Sequence, residues 1–323
     1  MNSALISTAV SAIICLLITP VLIPFLRRLK FGQSIREEGP SWHQAKSGTP
    51  TMGGIGFILS SVIASLAVIF MQHGVRYDLI IPVATALAYG FVGFVDDFIK
   101  VVKKRNLGLS AKAKFLSQLF VAVLSTLSMN YLGYLSGELI VPFLSYTIDI
   151  GLWIIPLTVL VHLAVVNSVN LTDGLDGLAT SVTLIVSIFF LVMSFLFDSA
   201  IGILTGAVAG GCLAFLLFNA HPAKVFMGDT GSLFLGGAVA VTASMLKMPL
   251  VLIIVGGVYL IETLSVIMQV TSFKLTRKRI FKMSPIHHHF EMCGLNEVKI
   301  VLLFSGATII LCLVGYLCIM PLF

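Results

Sequence analysis

The sequence predicts an all-α integral membrane protein of about ten transmembrane helices. Three observations carry that prediction: an apolar composition, long uninterrupted apolar runs, and basic residues gathered on one side of those runs. Apolar residues make up 58% of the 323 and charged residues 11%, against roughly 45–50% and about 25% in soluble domains. A soluble core of this size would need a charged surface, which the chain lacks. The apolar runs lie near 3–25, 53–72, 78–95, 113–131, 150–169, 178–197, 200–218, 231–247, 249–272 and 298–320. Most approach the roughly 20 helical residues that cross a hydrocarbon core of about 30 Å. They are continuous rather than alternating, so helices, not barrel strands, satisfy their backbone groups in lipid.

The first run is read as a retained span rather than a cleaved leader. Nothing basic precedes it, and Arg27, Arg28 and Lys30 follow it, the flank of a helix running from outside to inside. With ten spans, both termini are then outside, and the inward loops are 26–52, 96–112, 170–177, 219–230 and 273–297. Eighteen of the 20 Lys and Arg residues fall in or beside those loops, leaving Arg76 and Lys247 on the other side. That split follows the positive-inside rule. It also excludes nucleic acid as the reason for the net charge of +6, because the basic residues are dispersed between spans. The chain shows no internal repeat or linker and is read as one polytopic domain over 1–323. Its longest outer segment, 132–149, has turn residues among β-formers and suggests a small hairpin. Cys15, Cys212, Cys312 and Cys318 lie in apolar spans and Cys293 alone in a loop, without metal-ligand spacing, so inert thiols are expected.

Carboxylates locate the chemistry. Nine of the 14 acidic residues fall in the inward loops, and the five aspartates among them sit where a span meets a loop. Asp96 and Asp97 end the third span in FVDDFIK, Asp173 and Asp176 follow the fifth in NSVNLTDGLDG, and Asp229 precedes the eighth in FMGDTGS. Two carboxylates about 6 Å apart at an effective dielectric near 20 repel by roughly 3 kcal/mol. A compensating cation is therefore expected, and oxygen ligands without a Cys–His pattern favour a hard one, magnesium or manganese.

Each motif alone has a plainer reading. The aspartate pair could be a solvated helix end, and Asn167, Asn170 and Asp173, which share a helical face, could line a polar seam. GDTGS could merely cap a helix. Together, on three loops assigned to one side, they outweigh those readings. Basic partners point to phosphate: Lys100 shares the face of the aspartate pair, Lys112 and Lys114 open the next span, and Lys46 precedes GTPTMGG. The start of the eighth span offers free N–H groups to an anion. Carboxylates for a metal, lysines and an open helix N-terminus are parts of a phosphoryl-transfer site. Lys103, Lys104 and Arg105 are read as topology signals only.

HxxKxGTPTMGG (from His43), VDDFIK (from Val95), NSVNLTDGLDGLA (from Asn167), VFMGDTGSL (from Val225) and PIHHHFE (from Pro285) together resemble the phospho-N-acetylmuramoyl-pentapeptide-transferase family. The motifs occur in the family's order from the first inward loop to the last. DDxxK and NxxNxxD alone reach only the wider polyprenyl-phosphate sugar-1-phosphate transferase superfamily; GTPTMGG and PIHHHFE narrow it. The resemblance implies a ten-helix homodimer of the bacterial plasma membrane with a cytoplasmic active site. It implies transfer of phospho-MurNAc-pentapeptide from UDP-MurNAc-pentapeptide to undecaprenyl phosphate, with magnesium, giving lipid I and UMP. It makes Asp229 a magnesium ligand together with Asp173. Asp96 becomes the base acting on the lipid phosphate, or the nucleophile of a two-step route, and Asp97 supports it. Lys46, Lys100 and Lys112 neutralise phosphate. Thr51, Asn167, Asn170, Asp176, Gly228 and Gln269 fall among substrate-binding positions, and Phe226 is placed to stack on uracil.

His287, His288 and His289 cannot all face one point on a regular helix. A zinc site lacks further ligands at suitable spacing, and hydrogen bonds to substrate are preferred. His162, inside a span, is read as structural. Glu262 lies mid-span, where an ionised side chain is costly, and is expected to hold a bend at Gly256 and Gly257 by bonding a neighbouring helix. Two other functions compete. A sister transferase using UDP-N-acetylglucosamine shares the aspartate motifs but not PIHHHFE. A transporter would explain the intramembrane Glu262, but it would place its binding groups near the midplane, often in repeated halves, whereas here the ionisable groups gather at one face and no repeat is visible.

Overall fold

Helices form almost all of the computed structural model, which describes residues 2–28, 48–71, 76–103, 107–144 and 146–320. In chain order they are α1 (Asn2–Arg28), α2 (Gly54–Met71), α3 (Tyr77–Val102), α4 (Ala111–Tyr131), α5 (Ile154–Thr172), α6 (Leu178–Leu196), α7 (Gly202–Asn219), α8 (Gly228–Met245), α9 (Pro249–Val255), α10 (Gly257–Thr276), α11 (Ile286–Met292) and α12 (Glu297–Ile319). Each of the ten expected apolar runs is helical. Eight helices are long and apolar enough to cross a membrane, namely α1, α2, α3, α5, α6, α7, α10 and α12. The chain is a multi-pass, all-α membrane protein.

Two expected spans, α4 and α8, have the length but not the apolarity, and α8 shows why. Of its residues, Thr230 through Ser244 are all buried. It lies at the centre of the bundle, packed mainly on α3 and α5, so its environment is protein rather than lipid. Small residues on every side permit this close packing. A Cβ at Gly93 of α3 would overlap the Asp229 backbone carbonyl, so glycine there lets the third helix touch the start of α8. That contact brings the VDDFIK and GDTGS motifs together.

The ninth run is not one helix. It divides at Gly256 into α9 and α10, at the glycine pair where a bend was expected. The outer segment forms the anticipated hairpin, β1 (Glu138–Ile140) against β2 (Thr147–Asp149), antiparallel with Leu139 opposite Ile148. Ile140 N–H donates to the Lys247 carbonyl (2.9 Å), which fixes the hairpin to the turn between α8 and α9, at the end of the bundle opposite the aspartate motifs. Side chains cap two helices: Ser110 accepts from Ala113 N–H at the start of α4, and Asn296 from Lys299 N–H at the start of α12. His162 is fully buried, with Nδ1 3.4 Å from the Tyr89 hydroxyl. The five cysteines are free thiols, and only Cys293 is exposed.

Candidate active site

Three loops that are distant in sequence meet at one end of the bundle. The last turns of α3 bring Asp96 and Asp97, the end of α5 brings Asn170 and Asp173, and the first turn of α8 brings Asp229. Asp96, Asp97 and Asp229 each offer a carboxylate oxygen, all within 4.8 Å of one another. Asp96 and Asp97 are each only 3% exposed. Like charges packed this closely require compensation.

Two lysines supply part of it. Lys100 Nζ lies 2.6 Å from Asp96 Oδ2, 2.7 Å from Asp229 Oδ2 and 3.4 Å from Asp97 Oδ1. The i+3 and i+4 spacing within α3 puts it over both aspartates. Lys114 Nζ reaches Asp229 Oδ2 at 2.8 Å. Asn170 Nδ2 donates to Asp229 Oδ1 and to Ser232 Oγ, both at 2.8 Å. Asp229 is thus the hub of the cluster.

The two neighbouring aspartates are held differently. Asp97 Oδ2 accepts from both the backbone N–H and the hydroxyl of Thr230, each at 2.8 Å, which ties it to the N-terminus of α8. Asp96 Oδ1 accepts from Leu109 N–H at 2.8 Å. Gly228 stands between Asp97 and the segment that enters α2: its φ is +72°, and a Cβ there would crowd Asp97 Oδ2 and Thr51 Oγ1. Glycine meets both demands.

Asp173 closes the acidic rim. Burial first, and then the like charges of Asp229, Asp97 and Asp176, push its carboxyl well above the usual range. The three clustered carboxylates face only two ammonium groups, which leaves the site short of positive charge. A donor set of carboxylate oxygens fits a hard divalent cation. Asp96, Asp97 and Asp229 would hold it, with Asp173 beside them.

The remaining predicted residues divide by location. Asn167 turns away from the cluster and donates to Gln118 Oε1 and the Leu163 carbonyl, both at 2.8 Å. Asp176 lies in a second group with His221 and Glu297; its Oδ2 accepts from Ala223 N–H at 3.0 Å and sits 3.1 Å from His221 Nδ1. Phe226 is half-buried, its backbone paired with Pro50 and Gly53. Gln269 spends its amide on the loop before α11, bonding Ile280 and Phe281. His287 is fully buried, whereas His288 pairs with Glu291 and His289 accepts from Lys282 N–H. Lys46 lies outside the described residues.

Lys112 is exposed on the first turn of α4, and it is Lys114 that reaches Asp229. The helix itself holds the signal. Gln118, Ala122, Ser125 and Met129 are its buried stripe, and one turn back from Gln118 is Lys114. Residues two apart point about 200° around a helix, so the two lysines cannot both face the cluster. K114M is accordingly expected to lower kcat about a hundredfold, as loss of a charge stabiliser does. K112M is expected to lower it no more than about threefold, as for a solvated charge. Steady-state kinetics of both variants check this. Thr230 was also not singled out, because its role depends on contact between α3 and α8.

Comparisons with known proteins agree with this geometry. The profile of glycosyl transferase family 4 matches residues 79–247, which span α3 to α8 and contain all four cluster carboxylates. Curated phospho-N-acetylmuramoyl-pentapeptide-transferases match over nearly the whole chain. The protein of Halalkalibacterium halodurans is 51% identical over 301 residues, covering 93% of this chain and 92% of its own. That of Clostridium novyi is 49% identical over 318 residues, covering 98% and 97%. That of Clostridium beijerinckii is 51% identical over 302 residues, covering 92% and 90%. With these matches added to the aspartate cluster, the chain belongs to the phospho-N-acetylmuramoyl-pentapeptide-transferase family, within glycosyl transferase family 4.

Proposed function

We propose that the protein transfers phospho-MurNAc-pentapeptide from UDP-MurNAc-pentapeptide to undecaprenyl phosphate, giving lipid I and UMP for peptidoglycan synthesis. The observation that carries the reading is the junction of Asp96, Asp97 and Asp229 under Lys100 and Lys114 at one end of a membrane bundle. A lipid phosphate can reach that end from the bilayer and a nucleotide sugar from water.

In this reading an oxygen of the lipid phosphate attacks the sugar-linked phosphorus, and the bond from that phosphorus to the bridging oxygen breaks. UMP leaves with the bridging oxygen. Asp96 serves as the base that takes a proton from the lipid phosphate, or as the nucleophile of a two-step route. Asp97, fixed by Thr230, holds Lys100 in place. Lys100 and Lys114 face the charge that develops on the transferred group and on departing UMP. Asp96, Asp97 and Asp229, with Asp173 beside them, would hold magnesium, which would supply further neutralisation of pyrophosphate charge. In this reading Asp176 and Phe226 serve the nucleoside, and His288 and His289 the sugar and peptide.

The proposal includes one polytopic domain in a bacterial plasma membrane, acting as a homodimer with both termini outside. The cytoplasmic placement of the site is supported by the eighteen-to-two division of basic residues. The test is direct. Purified protein given magnesium, undecaprenyl phosphate and UDP-MurNAc-pentapeptide is expected to release UMP in step with a new lipid product. Omitting the lipid or the metal is expected to abolish sustained release. Continued turnover to UMP without lipid acceptor, beyond the single equivalent that a two-step route allows, would overturn the reading.

A further inference from the structure

Glu262 lies inside α10 and is 0% exposed. An ionisable side chain in such surroundings needs a partner. Its Oε2 sits 3.0 Å from Nδ1 of His287, which is on α11 and equally buried. Among the described residues, none of these four polar atoms (two carboxylate oxygens, two ring nitrogens) has a hydrogen-bonding partner, so the two side chains meet as a close buried pair rather than in an aligned hydrogen bond. The far side of the imidazole is pressed against Gly174, where a Cβ would overlap Nε2 and Cε1. His287 is therefore wedged between the broken ninth span and the loop that follows Asp173.

Two neighbouring contacts make α10 a firm base for this wedge. Thr263 donates to Ser168 Oγ of α5 at 2.7 Å, and Gln269 holds the backbone of Ile280 and Phe281. The His287 and His288 rings lie 4.1 Å apart between centroids, so the seat of the first ring sets the position of the second.

We propose that Glu262, acting through His287, is a positioning residue that seats α11 against the 173–176 loop and so sets the affinity for the nucleotide-sugar substrate. Glu262 touches no substrate. It fixes the spacing between two walls of the cleft, and phosphoryl transfer itself does not depend on it. The substrate side of this statement rests on the proposed transferase function; the seating of α11 does not.

Hydrogen exchange on the full-length protein in lipid nanodiscs separates the two. E262L puts an apolar side chain of similar bulk in place of the carboxylate; E262Q keeps a polar oxygen beside the His287 ring. In E262L, exchange over 286–292 and 173–176 is expected to rise about tenfold, with α2 and α7 unchanged. In E262Q it should stay within about threefold of the parent. If E262L does not fold, H287F, which removes Nδ1, replaces it with the same expected pattern. In the UMP assay, E262L should raise KM for UDP-MurNAc-pentapeptide about tenfold, with kcat and the KM for undecaprenyl phosphate within about threefold. The double variant E262L/H287F should show no more exchange over 286–292 than E262L alone. Unchanged exchange over 286–292, loss of protection throughout the protein, or a fall in kcat with KM unaltered would each overturn the proposal. A parent protein that releases no UMP would overturn the function, while the exchange result would still decide the seating.

Discussion

Changing Asp229 to Asn is expected to lower turnover by at least about a thousandfold while the protein remains folded. The substitution preserves shape and removes one charge, and that charge is the hub of the site. Both lysines converge on Asp229 Oδ2, and Asn170 donates to Oδ1. An amide cannot offset two ammonium groups, and it is a weak ligand for a hard cation. Removing one preorganised electrostatic contact in a buried site commonly costs a hundredfold to about a thousandfold; here the same residue would also bind the metal. Fold retention is expected because the α3–α8 packing is made by Gly93 and small residues of α8, not by this carboxylate. UMP release, with circular dichroism on the same preparation, checks both halves. Turnover within about threefold of the parent would remove Asp229 from the metal site.

The second large effect is expected at Lys100, with an opposite sign for two observables. K100M should lower turnover at least about a hundredfold, because the ammonium that lies over all three carboxylates also faces the transferred phosphate. The same change makes the empty site more negative, so the free enzyme should bind manganese more tightly than the parent does. Manganese titration by electron paramagnetic resonance, beside the UMP assay, reads both. Unchanged manganese binding together with normal turnover would show that Lys100 serves topology alone, like the lysines beyond it.

Much of this arrangement is legible in the sequence because lipid imposes strict rules on it. The ten apolar runs became helices, and the aspartate motifs landed at one end, since charged side chains are excluded from the hydrocarbon between them. The central position of α8 was not legible. In sequence it reads as one span among ten, whereas its small residues mark a helix surrounded by protein. Lys112 and Lys114 were separable only by following the buried stripe of α4 upward from Gln118. Three consecutive histidines look alike in sequence, yet folding gives His287 to Glu262, His288 to Glu291 and His289 to Lys282. The first of these partners is brought by a tertiary contact that no spacing rule contains, whereas His288 and Glu291 are three apart on one helix.

The central claim is that the buried aspartate cluster moves a phospho-sugar-peptide to a lipid phosphate. It is tested most directly by offering purified protein UDP-MurNAc-pentapeptide and UDP-N-acetylglucosamine in parallel, each with magnesium and undecaprenyl phosphate. UMP is expected from the first and almost none from the second. The reverse preference would contradict the account.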